Sequence, residues 1–118
     1  MIEPRFLQAA PCFAVRDFDA LIRFYCEAMA FEARYKTQVY AVLYWDDVQL
    51  HIYPQRDGKV AGQGSAYFFV MGVDAVYETC KAGAKIIHPI KNQEYCLRDF
   101  LMEDPEGNRV GIAQRVRT

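Results

Sequence analysis

Apolar and polar positions alternate most regularly between Tyr40 and Tyr53, which reads as two short strands, Tyr40–Trp45 and Val48–Tyr53, joined by Asp46-Asp47. Two residues is the length of a tight hairpin connection. With Trp45 opposite Val48, Leu43 falls opposite Leu50 and Ala41 opposite Ile52, so one face is wholly apolar. The other face pairs Tyr44 with Gln49, Val42 with His51 and Tyr40 with Tyr53. Side chains alternate along a strand, so one register assigns both faces. The apolar face is expected under a helix. The second face is aromatic yet carries hydroxyls, an amide and an imidazole, the composition of a small-molecule site.

Upstream, a first strand is expected near Ala9–Val15. Asp17 then caps a helix whose apolar positions Phe18, Leu21, Ile22, Tyr25, Ala28 and Met29 recur at helical spacing. Asp19 in its first turn suits the positive end of the helix dipole. Phe31–Thr37 reads as a second strand. Pro54–Gly64 collects Pro54, Asp57, Gly58, Gly62 and Gly64 and reads as a linker. After it the pattern starts again. Ala66–Met71 is a short apolar strand, and Asp74 is expected as a second N-cap before Val76, Tyr77 and Cys80, with Gly83 the left-handed stop. Ala84–Ile90 contains Pro89, which places it at a sheet edge. Tyr95–Glu103 and Arg109–Arg115 form a last hairpin around Asp104-Pro105-Glu106-Gly107-Asn108. Ala14-Val15-Arg16-Asp17 before the first helix also resembles Gly72-Val73-Asp74 before the second. The economical description is an α+β fold of two βαβββ modules, over about residues 6–54 and 65–116, joined by the linker at about 54–64.

The chain has 118 residues, enough for one domain with a real core. A formal net charge of -1 with no Lys/Arg run argues against nucleic acid or an anionic membrane as partner. There is no long apolar stretch, and Met1-Ile2-Glu3-Pro4-Arg5 is not the start of a signal peptide. Cys12, Cys26, Cys80 and Cys96 are scattered without a Cys-x-x-Cys pair, which suits free thiols in a reducing cytoplasm better than disulfides or zinc.

The doubled unit resembles the vicinal oxygen chelate superfamily, which comprises glyoxalases, bleomycin-resistance proteins and dioxygenases. The resemblance rests on Val15-Arg16-Asp17-Phe18-Asp19 leading into Phe24-Tyr25, on the tight hairpin with Asp47, and on Asp104-Pro105-Glu106-Gly107-Asn108. Its closest branch is that of the bleomycin-resistance proteins. It implies that each module curls its sheet into a cup, with the helix on the convex side. In the family's metalloenzymes the cup holds a divalent metal on His and Glu. The corresponding positions here are Ala10, His51, Phe68 and Gly111, of which only His51 is a metal ligand. A catalytic site needs about three protein ligands, so neither a metal nor another cofactor is expected.

What the resemblance implies is therefore a metal-independent protein that sequesters a small molecule, such as an antibiotic. Tyr40, Tyr44, Gln49, His51 and Tyr53 are expected to line the cup of the first module, and Phe68 to add a ring from the fifth strand. In the last hairpin, pairing Met102 with Val110 and Phe100 with Ile112 toward the helix leaves Asp99, Leu101, Gly111 and Ala113 toward the cup. Gly111 and Ala113 leave room for a ligand, and Arg98 and Tyr95 lie near the mouth. Two other readings stay open: an enzyme of the same superfamily with a non-standard site, using His51 as a general base, and an inert structural or regulatory module with a filled cup. An open cup exposes strand edges and aromatic rings, so a homodimer with shared pockets is expected.

Overall fold

Two four-stranded mixed sheets, each backed by one helix, account for the regular structure in the computed structural model, which describes residues 2–56 and 60–117. Asp57 and Gly58 of the expected linker lie outside the described residues. The order is β1 (Cys12–Val15), α1 (Phe18–Glu27), β2 (Glu32–Lys36), β3 (Ala41–Trp45), β4 (Val48–Pro54), β5 (Ser65–Phe69), α2 (Val73–Lys81), β6 (Lys85–Asn92), β7 (Leu97–Glu103) and β8 (Arg109–Arg115). The first sheet runs β1-β4-β3-β2 and the second β5-β8-β7-β6. In each, the strand before the helix pairs in parallel with the module's last strand and the other pairings are antiparallel. This is the expected α+β arrangement of two βαβββ modules.

The hairpin register is the expected one: Trp45 faces Val48, Leu43 faces Leu50 and Ala41 faces Ile52. Ala41, Leu43, Leu50 and Ile52 are fully buried together with Leu21, Ile22 and Tyr25 of α1. In the second sheet Phe100 pairs with Ile112 and Met102 with Val110, and all four are buried with Val73 and Cys80 of α2. Removing such side chains from water stabilises the fold by about 1.5–3 kcal/mol each. The two halves share one core, since Phe31 after α1 packs against Phe68 of β5 with ring centroids 6.3 Å apart.

The turn between β7 and β8 fastens the modules to each other. Glu106 accepts hydrogen bonds from the backbone N–H groups of Arg16 (2.6 Å) and Asp17 (2.7 Å), one on each carboxylate oxygen. Asp104 Oδ1 accepts from the N–H groups of Glu106 and Asn108, and its Oδ2 accepts from Asn108 Nδ2 and from the buried Tyr25 hydroxyl at 2.7 Å. Asn108 Oδ1 accepts from Gly64 N–H at 2.7 Å, which ties down the end of the linker. The Asp-Pro-Glu-Gly-Asn motif is thus a structural clasp. Burial first, and then the charge of Asp104, push the Tyr25 hydroxyl well above its usual pKa, so it stays a donor.

Asp17 caps α1 as expected, accepting from Ala20 N–H at 3.1 Å. The start of α2 differs. Its N-cap is Gly72, in the left-handed region at φ +76°, and Asp74 lies inside the first turn. The orphan N–H groups of Gly72 and Val73 donate instead to Gln114 Oε1 on β8, at 2.8 and 3.0 Å. Asp74 is thereby free to pair with Arg98, at 2.8 Å. Gly83 is not a left-handed stop either, because α2 ends through Ala82 in the right-handed region. Gly83 is needed for close approach: a Cβ there would fall 2.8 Å from the Cβ of Ala28, at the end of α1.

Candidate functional site

The face of the first sheet away from α1 is built by the alternation of β3 and β4. Opposite the buried set, Tyr40, Tyr44, Gln49, His51 and Tyr53 are half-buried on the other face, as their parity requires. Gln49, His51, Tyr40 and Tyr53 form a connected network, and Tyr44 stands apart from it. His51 Nε2 is hydrogen-bonded to Gln49 Oε1 at 2.8 Å, and His51 Nδ1 to the Tyr40 hydroxyl at 2.7 Å. The Tyr40 and Tyr53 rings are stacked, with centroids 6.1 Å apart. Arg34 lies over the ring of Tyr44 and Arg56 over that of Tyr53, at 4.6 and 5.0 Å. Burial, and next the contact with Cys12, raise the Tyr40 pKa and keep its proton on oxygen.

The second sheet carries a cavity of about 550 Å³ on the face away from α2, lined among others by Tyr67, His88, Lys91, Tyr95, Asp99 and Leu101. Asp99 is one of its lining residues and is only 7% exposed. Its Oδ2 accepts from the hydroxyls of Tyr67 (2.5 Å) and Tyr95 (3.0 Å), and its Oδ1 accepts from Gln93 Nε2 (2.7 Å). Burial alone pushes the Asp99 carboxyl up. The three donors and the Lys91 charge together outweigh it, and the carboxyl titrates below its ordinary range. Conversely, burial and then Asp99 push the Tyr67 hydroxyl far above its ordinary value, so Asp99 is the anion and the tyrosine the donor.

Asp99, Leu101 and Gly111 line this cavity, and Phe68 does not. β5 and β8 pair in parallel with Phe68 beside Ile112, and Ile112 faces the core. Phe68 therefore points inward and lines an apolar cleft of about 340 Å³ with Met29, Phe31, Trp45 and Val76. Its neighbour Tyr67 takes the concave face instead. Gly111 pairs with Tyr67, and the space it leaves is filled by the Tyr67 ring rather than kept open: a Cβ at Gly111 would come within 2.8 Å of Tyr67 Cε1. Arg98 also leaves the mouth, because its parity turns it toward α2 and Asp74. Sequence reasoning missed Tyr67, Lys91 and Gln93 as members of the site and placed Tyr95 only at its mouth. Tyr67 carried no local signal, because β5 lacks alternation and its parity is set by its pairing with β8.

The residues do not fit the divalent metal found in the family's metalloenzymes. Ala10, Phe68 and Gly111 offer no donor atoms, and both ring nitrogens of His51 are engaged by Tyr40 and Gln49. Among the described residues no three His, Cys, Asp or Glu side chains converge.

Residues 6–112 match the Glyoxalase/Bleomycin resistance protein/Dioxygenase superfamily, and the chain belongs to it. Bleomycin resistance proteins of Geobacillus stearothermophilus and Staphylococcus aureus are 27% identical to it over 132 residues, spanning 95% of this chain and 99% of theirs. Among solved structures, the bleomycin-binding protein of Streptomyces verticillus, complexed with copper(II)-bleomycin, superposes with a TM-score of 0.80 at 24% identity, covering 98% of this chain and 100% of that one. A bleomycin resistance determinant encoded on the transposon Tn5 superposes with a TM-score of 0.78 at 20% identity, covering 93% and 98%. These two likenesses establish the fold.

Proposed function

We propose that the chain binds a small molecule on its concave faces and sequesters it, as a resistance protein does, without a metal and without turning the ligand over. The observation that carries this reading is the Tyr67–Tyr95–Gln93–Asp99 network at the floor of an open cavity of about 550 Å³. It supplies aromatic surface with polar groups held in fixed directions, which recognition needs. The relatives support the same reading, since they include bleomycin resistance proteins and a protein crystallised with bleomycin.

The working form is a homodimer whose pockets are lined from both chains. Tyr35, Tyr67, Phe69 and Tyr95 are exposed on the sheets and their borders, and Ile2, Phe6 and Leu7 are exposed in the segment before β1. Each sheet also ends in two unpaired edge strands. A partner covering these surfaces would remove both liabilities. All four cysteines are free, which supports a reducing cytoplasm. No helix among the described residues is long and apolar enough to cross a membrane.

A thermal-shift screen of aromatic metabolites and glycopeptide drugs, with sedimentation of the free and loaded protein, tests the proposal. A ligand that selects the native state raises the Tm, and the loaded species is expected at twice 13.6 kDa. A tight-binding monomer would refute the shared pocket.

A further inference from the structure

Resting on the binding reading above, the charges in the cavity narrow the class of ligand. Asp99 is the only carboxylate lining it among the described residues. Three donors already occupy that carboxylate, two of them on Oδ2. A cationic ligand would have to displace a tyrosine hydroxyl or the Gln93 amide to reach it. The other carboxylates on the concave strands are engaged too: Glu32 pairs with Arg34 at 3.2 Å, and Glu103 lies 3.9 Å from Arg109.

The cations are placed differently. Lys91 lines the same cavity, is exposed, and has no ion-pair partner within 4 Å among the described residues. Arg115 lies over the Phe69 ring at 4.7 Å, and it is likewise absent from every ion pair among the described residues. His88 sits at the cavity edge. The cavity therefore combines aromatic walls, a carboxylate whose oxygens are already hydrogen-bonded, and an ammonium group with no ion-pair partner within 4 Å among the described residues.

We infer that the cavity takes an aromatic ligand bearing an acidic group, with Lys91 as its counter-ion, and discriminates against cationic ligands. The tyrosine hydroxyls are committed as hydrogen-bond donors to Asp99, which leaves their rings as the aromatic part of the wall, a surface that suits a flat ring. The free ammonium then selects for a carboxylate or phenolate on that ring.

The test is a calorimetric titration with three probes that share one ring and differ in charge: para-hydroxyphenylacetate, its amide, and tyramine, with bleomycin as a cationic glycopeptide. The acid is expected to bind tightest and tyramine weakest, roughly tenfold or more apart, as one partly desolvated charge contact allows. Lys91→Gln is expected to abolish the preference for the acid over the amide. The exposed position makes this variant safe for folding. Preference for tyramine or bleomycin, equal affinity across the set, or an acid preference that survives Lys91→Gln overturns the charge assignment and leaves the binding reading standing. If none of the four binds at millimolar concentration, the binding reading itself falls and this inference with it.

Discussion

The ring of Tyr67 occupies the volume that any side chain at Gly111 would need. The two residues are direct partners between β5 and β8, and the same placement brings the Tyr67 hydroxyl onto Asp99. Gly111→Ala should therefore displace the ring and loosen the network. We expect a loss of about 1–3 kcal/mol, the usual range for overpacking. Denaturant unfolding measures it. The same change made in a Tyr67→Ala background should cost almost nothing, because the two residues act through one contact.

Tyr25→Phe removes a single oxygen at the clasp between the modules. Asp104 is 3% exposed, so the lost donor is not replaced by bulk water. The expected cost is about 1–3 kcal/mol. Glu106→Gln keeps the shape of the clasp, and one amide oxygen still accepts from backbone. Its cost should be smaller, and parallel unfolding curves compare the two.

Asp99 fixes the sign of the acid response. Its folded-state pKa is depressed, so its contribution to stability is present above the unfolded value of about 4 and is lost as pH falls through the lower folded value. Asp74, held low by Arg98, acts in the same direction. Stability should fall on acidification below that range. Asp99→Asn should flatten this limb in a pH series of unfolding curves, whereas Lys91→Gln should flatten it only slightly, because Lys91 is the smallest of the causes that hold the Asp99 pKa down.

The two faces of the Tyr40–Tyr53 hairpin should respond oppositely to truncation. Leu50 is fully buried, and Leu50→Ala should cost roughly 2–5 kcal/mol. His51 is half-buried on the concave face, so His51→Ala should cost much less and instead alter ligand binding. Unfolding and binding titrations on the same two variants decide the matter. A larger stability loss at His51 than at Leu50 would reverse the assignment of faces.

How far the sequence could be read follows from where each constraint originates. The β3–β4 register is local: two residues connect the strands, and strict alternation separates Leu43 and Leu50 from Tyr44 and His51. β5 has no such alternation, because Ala66, Tyr67, Phe68 and Phe69 are all apolar or aromatic. Its parity is set from 44 residues away, by Ile112 beside Phe68 and Gly111 beside Tyr67. The start of α2 is equally non-local, since its orphan N–H groups are capped by Gln114. Asp74 looked like the cap because a local helix would need it there. The donors around Asp99 come from β5 and from the connection after β6, and only the folded sheet brings them together.

On the sequestration reading, the protein holds a small molecule and does not transform it. Equilibrium dialysis of the protein against the best stabilising compound from the thermal-shift screen, followed by mass spectrometry of the compound in both compartments, tests this most directly. The account predicts retention on the protein side at one ligand per chain, with the compound's mass unchanged, and loss of retention when Asp99 and Tyr67 are both replaced by alanine. Release of a product of altered mass, or retention that survives that double replacement, would contradict it.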